Sequence, residues 1–138
     1  MTDLSCPLCQ AANEKLLWRD PLLRVILVGD IQYPGFCRVT LNRHVKEMTD
    51  LPEAERIQVL RTVFAVETAL REILRPDKIN LASLGNQVPH LHWHVIPRFA
   101  DDAHFPDPVW ASVQRTGRAH PVDNTQLALR IAQLHTHT

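Results

Sequence analysis

Three histidines alternate with large apolar residues in His90-Leu91-His92-Trp93-His94-Val95-Ile96-Pro97-Arg98. Successive side chains of an extended strand point to opposite faces. The pattern therefore predicts His90, His92 and His94 on one face and Leu91, Trp93 and Val95 on the other. The apolar face packs; the imidazole face is free for chemistry. Imidazoles at this spacing can divide three jobs among them: metal ligation, nucleophilic attack, and hydrogen bonding to an anionic reaction centre. The bland alternative is a half-buried strand rich in histidine. Strict alternation of three histidines against three large apolar residues argues against it.

A second group of ligand types sits at the N-terminus. In Cys6-Pro7-Leu8-Cys9 the two intervening residues let both thiolates turn toward one tetrahedral ion, although redox pairs and chance pairs share the spacing. A pair of histidine ligands elsewhere would favour the metal, and His44 and His90 are the candidates. Cys37 lies inside an apolar run and reads as a small buried side chain. Three cysteines are too few for a disulfide scaffold.

These residues need a fold to bring them together. At 138 residues with 45% apolar content, the chain fits one domain with one core. Fifteen basic and fifteen acidic residues give zero formal charge, so nothing global attracts nucleic acid or a membrane surface, and any anion must be bound locally. No apolar run approaches the roughly 18 residues of a spanning helix. The opening residues, Met1 to Pro7, lack the charged and apolar regions of a signal peptide, which predicts a cytoplasmic protein.

The elements follow from periodicity and turn signals. Residues 13–18 suit a short helix or the lead into a strand. Residues 22–28 read as a buried strand, and the Pro34-Gly35 turn returns the chain through residues 36–41 as its antiparallel partner. Thr49 or Asp50 can cap a helix over residues 53 to about 74, with Pro52 in its first turn and Pro76 beyond its end. That helix carries two apolar stripes: Val59, Val63, Val66, Leu70 and Ile73, and beside them Ile57, Leu60 and Phe64. They are wider than one core-facing stripe needs, so the helix is either deeply buried or faces a second subunit. Residues 78–84 read as a strand broken from the histidine strand by Gly85-Asn86. Beyond Arg98 the chain turns polar and proline-rich, with Asp101, Asp102 and His104 expected in solvent and Trp110 in weakly structured surroundings. A short helix is expected over residues 124–134, followed by a frayed His135-Thr-His-Thr tail. The order predicts an α+β domain in which helices pack on an antiparallel sheet.

The stretch from His90 to Arg98 resembles the signature of the histidine triad (HIT) family, His-x-His-x-His followed by apolar residues, with Pro97-Arg98 matching an ending common there. The similarity covers roughly residues 6–98 of a single domain spanning 1–138, with 99–138 as a C-terminal extension. It is similar to the bacterial dinucleoside polyphosphate hydrolase-like and Hint-like branch. The resemblance implies the HIT-like fold: about five antiparallel strands, a long helix and a short terminal helix. It also implies hydrolysis at the α-phosphate of dinucleoside polyphosphates or nucleoside phosphoramidates through a nucleotidyl-histidine. His92 matches the attacking residue, and His94 the histidine expected to contact the phosphate or the leaving group. A nucleotidyltransferase, or a nucleotide-binding regulatory module with little turnover, is the alternative. Asp30-Ile31 resembles the step where the acid holds the ribose and the apolar residue touches the base, though a turn-forming Asp at a strand end is the competing reading. Asn80 matches an asparagine near the phosphate. Asn86 stands where the family usually has Gln, and Gln87 where it commonly has Ser or Thr; Phe36 replaces a frequent His. Cys6, Cys9, His44 and His90 match the four ligands of a closed, structural zinc site in zinc-containing relatives and the related galactose-1-phosphate uridylyltransferases. A purine nucleotide as substrate and a homodimer complete the expectation, as does activity that falls as pH drops through about 6.5, the unperturbed imidazole value.

Overall fold

The computed structural model describes residue 3 and residues 5–136. Met1, Thr2 and Leu4 of the stretch read for a signal peptide, and His137 and Thr138 of the tail, lie outside the described residues. Five strands form the sheet: β1 (Lys15–Arg19), β2 (Leu23–Leu27), β3 (Cys37–Leu41), β4 (Lys78–Ala82) and β5 (His92–Arg98). Their order is β1-β2-β3-β5-β4, with every neighbouring pair antiparallel. Around them lie a single turn α1 (Pro7–Gln10), the long α2 (Glu53–Leu74) and α3 (Asn124–Thr136). This is the α+β architecture expected from the sequence, and residues 13–18 resolve into the edge strand β1.

The sheet sorts its residues by alternation. Leu23 and Val25 of β2, Cys37, Val39 and Leu41 of β3, Ile79 of β4 and Val95 of β5 join Val59, Val63, Val66 and Leu70 of α2 and Leu127 and Ile131 of α3 in one core. Cys37 is the small core residue expected, and burial pushes its thiol up to about 12. The opposite face follows from the register: Arg24 pairs with Thr40, Ile26 with Arg38, Arg38 with His94, and Thr40 with His92. Cations and imidazoles are thus collected on the side away from α2. The β2–β3 connection turns at Gly35, whose φ of +86° suits glycine and whose added Cβ would lie 3.0 Å from Leu70 Cδ2.

The long helix keeps its expected bounds but not its expected cap. Thr49 and Asp50 belong to a 3₁₀ turn (Met48–Asp50) closed by reciprocal Glu47–Asp50 bonds, and Pro52 itself occupies the N-cap with extended backbone and no side-chain bond. Glu53 and Glu55 in the first turn and Arg71 in the last complement the helix dipole. The first apolar stripe is the core face. The second is not buried within the chain: Ile57 and Phe64 are 50% and 53% exposed and, with Leu60 and Leu134, line an apolar hollow of about 440 Å³.

The C-terminal segment departs most from expectation. Asp102 and His104 are buried, not solvated. Arg98 Nε and Nη2 donate to Asp102 at 2.8 and 3.1 Å, and the same carboxylate accepts the backbone N–H groups of Phe99, His104 and Phe105. Tyr33 Oη donates to Asp102 at 3.1 Å and lies 2.6 Å from His104 Nδ1. Burial alone would raise the Asp102 carboxyl, but Arg98 and the backbone donors hold it well below the usual carboxylate range. This cluster folds residues 99–107 back against the sheet. At the other end α3 runs on to Thr136: His135 stacks on Trp18 with ring centroids 3.7 Å apart, its Nδ1 donates to Ile131 O, and Thr62 Oγ1 lies 3.1 Å from its Nε2. His135 is therefore part of the packing between α2, α3 and β1, not a frayed residue.

Candidate functional site

β5 begins at His92, so His90 lies two residues before the ladder instead of inside it. The alternation nevertheless extends back through it. Leu91 is fixed on both sides, its N–H bonded to Val45 O at 2.7 Å and its carbonyl to Leu41 N at 3.3 Å, and its side chain is in the core. His90 is consequently turned to the other side, fully buried.

The His90 ring is oriented by its two nitrogens. Nε2 donates to Leu41 O at 2.7 Å, which leaves Nδ1 with the lone pair. That nitrogen lies 3.3 Å from Cys6 Sγ and 3.4 Å from Cys9 Sγ, and His44 Nδ1 lies 3.2 Å from Cys9 Sγ. The four ligand atoms are all within 4.8 Å of one another. A tetrahedral ion bound at about 2.3 Å to sulfur and 2.0–2.1 Å to nitrogen would set S···N edges of roughly 3.5 Å. The three S···N distances of 3.2 to 3.4 Å lie close to that edge, and the His90–Leu41 bond is the outer contact that metal-binding imidazoles use to fix their tautomer. Cys6, Cys9, His44 and His90 can therefore hold a metal ion. Burial raises the Cys6 thiol, so a thiolate there calls for a cation beside it. The α1 turn that presents both sulfurs is tied to the sheet by Arg24, which is buried and donates to Leu8 O, Leu41 O and the Glu14 carboxylate.

His92 is oriented by the same residue. Its Nδ1 donates to His90 O at 2.6 Å, leaving Nε2 unprotonated in the neutral ring. Its own carbonyl accepts Ser83 Oγ at 3.0 Å. His92 and His94 lie edge to face, 4.9 Å between centroids, and share a cavity of about 300 Å³ with Arg38, Asn86, Gln87 and Trp110. Phe36 and Trp110 meet the His94 ring edgewise at 5.6 and 5.2 Å. Burial lowers the affinity of His92 for a proton; the bond to His90 O opposes this and the Arg38 charge adds to it. Burial, then His92 and Arg38, push His94 down to about 4.

Of the residues expected to bind substrate, Asn86 and Gln87 line the His92–His94 cavity. Asp30 and Ile31 line a different one of about 200 Å³, with Phe36 standing between the two: it lines the second cavity and touches His94. Asp30 also accepts the Gln32 N–H at 2.9 Å, the local bond of a turn-forming Asp. The Asn80 carbonyl oxygen accepts Arg98 Nη1 at 2.8 Å, and Asn80 is not among the residues lining the triad cavity. Arg38 and Trp110 were not anticipated. Arg38 was findable in principle, since β3 alternates Cys37, Val39 and Leu41 with Arg38 and Thr40. Only the register to β5 puts it beside His94. Trp110 arrives from the folded-back C-terminal segment, which periodicity does not announce.

An antiparallel α+β sheet with a line of imidazoles along the interior strand β5 and a cysteine–histidine cluster at that strand's entry defines a histidine-triad architecture. The chain belongs to the HIT family: a family model described as HIT domain matches residues 10–101. It resembles a histidine triad protein from Bradyrhizobium japonicum, 33% identical with a TM-score of 0.69 over 92% of each chain. A Zn-bound histidine triad family protein from Mycobacterium smegmatis shares the fold at 24% identity and a TM-score of 0.66, over 98% of this chain and 99% of that one. A curated relative from Mycobacterium tuberculosis named AP-4-A phosphorylase is 30% identical over 78 residues, 52% of this chain. The match spans 40% of that relative's length. None of the helices among the described residues is long and apolar enough to cross a membrane.

The pH consequence differs from the sequence expectation. Because burial lowers the His92 pKa, its neutral form persists below the ordinary value of about 6.5. A reaction carried by neutral His92 should keep its rate through pH 6.5 and lose it only at lower pH, as measured by kcat/KM against pH on a substrate limited by chemistry. A fall centred at or above 6.5 would contradict a buried nucleophile.

Proposed function

We propose that this protein is a nucleotide hydrolase acting at the α-phosphate of dinucleoside polyphosphates or nucleoside phosphoramidates, with His92 as nucleophile. The observation that carries the reading is the His92 Nδ1–H bond to His90 O, because it commits the second nitrogen to attack. Nε2 forms a bond to the α-phosphorus while the bond to the leaving group breaks; that group departs with the electron pair, a polyphosphate as its anion and an amine with a proton taken up from solvent. The ring, now substituted on one nitrogen and protonated on the other, keeps its hydrogen bond to a carbonyl that favours its positive charge. Water then attacks phosphorus, the P–N bond breaks, a proton is lost to solvent, and a nucleoside monophosphate leaves with neutral His92 restored. His94 holds the phosphate or leaving group, and Asn86 and Gln87 donate amide N–H groups to it. Asp30 and Ile31 hold the nucleoside across Phe36, a purine by preference, and Asn80, which does not line the triad cavity, has a positioning role through its contact with Arg98.

Transfer to an acceptor other than water is the second reading, favoured by the AP-4-A phosphorylase name of the mycobacterial relative. Monophosphate release with and without added inorganic phosphate separates the two. Binding with little turnover remains the non-enzymatic alternative, against which an intact nucleophile argues. The chain acts as a single domain over residues 1–138, in the cytoplasm, where its three cysteines, none of them in a disulfide, stay reduced. A homodimer through the exposed Ile57 and Phe64 stripe of α2 would cover its apolar surface. Neither nucleic acid nor membrane is a partner of a chain with zero formal charge.

His92→Ala should lower turnover by at least about a thousandfold while nucleotide binding persists, since the binding contacts come from other residues. Assay of nucleoside monophosphate release from diadenosine polyphosphates and adenosine phosphoramidates checks this; full activity in the variant removes the mechanism.

The cysteine–histidine cluster is proposed to hold one structural zinc ion through Cys6, Cys9, His44 and His90, all four positions being taken by protein so that none remains for water. Elemental analysis of protein purified without chelator should give close to one zinc per chain, and the Cys6→Ser, Cys9→Ser double variant close to none. Removing the metal should loosen the N-terminal segment, read by hydrogen exchange, more than it slows chemistry at His92. Metal-free protein that is folded and active would leave the four residues as neighbours only.

A further inference from the structure

Three arginines on the polar face of the sheet are buried or half-buried, Arg24, Arg98 and Arg38, and two of them are matched. Arg24 is paired with Glu14 at 2.8 Å and Arg98 with Asp102 at 2.8 Å. Arg38 is not: its Nε is buried without a hydrogen-bond partner, and among the described residues no ion pair reaches its guanidinium. The acid that acts on it electrostatically is Glu14, whose two oxygens are already held by Arg24. A guanidinium whose Nε is withdrawn from water without a partner is unfavourable until an anionic ligand supplies the counter-charge. The cavity that Arg38 shares with His92, His94, Gln87 and Trp110 is lined by no carboxylate at all.

The register locates this charge relative to the nucleophile. Thr40, not Arg38, stands opposite His92; Arg38 stands opposite His94, one step of alternation further along β5, or about 6.7 Å. The cation is thus displaced from the phosphorus that His92 would attack and sits beside the group next to it. Resting on the reading of His92 as nucleophile, we propose that Arg38 binds anionic phosphate groups beyond the α-phosphate and so selects substrates whose leaving group is anionic over those whose leaving group is neutral. An anionic leaving group can depart without first taking a proton, and a fixed guanidinium stabilises the charge it carries away.

Calorimetric titration tests this without requiring turnover. The probes are adenosine monophosphate and a methylene-bridged diadenosine tetraphosphate that cannot be cleaved, each titrated into wild type and Arg38→Gln. The variant should bind the bridged probe roughly 10- to 100-fold more weakly and the monophosphate less than about threefold more weakly, with Arg38→Lys intermediate. Should Arg38→Gln fail to fold, the salt dependence of wild type decides: affinity for the bridged probe should fall more steeply between 50 and 500 mM NaCl than affinity for the monophosphate, about as one added cation contact requires. Equal losses on both probes would place Arg38 at the α-phosphate and overturn the proposal, as would no loss, or no binding of the bridged probe to wild type at millimolar concentration. If the bridged probe binds through Arg38 but His92→Ala remains fully active on cleavable substrates, it is the nucleophile assignment that fails and the Arg38 assignment that stands.

Discussion

The hydrogen bond from His92 Nδ1 to the carbonyl of His90 is the constraint on which the site depends. It joins the first residue of β5 to the residue two positions before it and is 2.6 Å long, and it decides which nitrogen of His92 carries the proton. Its acceptor is held from two directions. The His90 ring is locked by Leu41 O and by its place among Cys6, Cys9 and His44, and the next peptide is locked by Val45 O and Leu41 N. A metal ion in that cluster would stiffen the acceptor without touching the reacting atoms. A structural ion and a catalytic imidazole are thereby coupled through a single residue, His90, whose side chain serves one and whose backbone serves the other.

The remaining architecture keeps this strand dry on one side and polar on the other. α2 and α3 cover the apolar face, and β5 is an interior strand whose register is fixed by β3 on one side and β4 on the other. On the opposite face, buried cations are each given a structural partner except where the cavity opens. Arg24 clamps the cysteine turn, and Arg98 with Asp102 folds the C-terminal segment back so that Trp110 reaches His94. Breaking either pair would strand a buried charge, which is why both contribute to positioning although neither faces the triad cavity.

Much of this was legible in the chain because it depends on local periodicity. The alternation at His90 to Val95 separates the two faces even though His90 stands before the ladder, and the Cys-x-x-Cys pair with His44 and His90 converges as the spacing allows. The helix over residues 53–74 was readable to its ends. What the sequence did not disclose depends on partners far apart in the chain. Asp102 looks like a surface acid until Arg98 and three backbone donors close around it, and His135 looks like a tail residue until Trp18 lies beneath it. Arg38 becomes part of the site only once β3 is placed against β5, and the separation of Asp30 and Ile31 from the triad by Phe36 is likewise a matter of tertiary placement.

The central claim is that His92 is held neutral with its proton on Nδ1 and its lone pair on Nε2. Two-bond proton–nitrogen NMR spectra of protein labelled with ¹⁵N in its histidines, recorded between pH 6 and 8, read the tautomer directly. The account predicts a protonated Nδ1 and an unprotonated Nε2 for His92 across that range. A proton on Nε2 instead, or an imidazolium at pH 7, would contradict it.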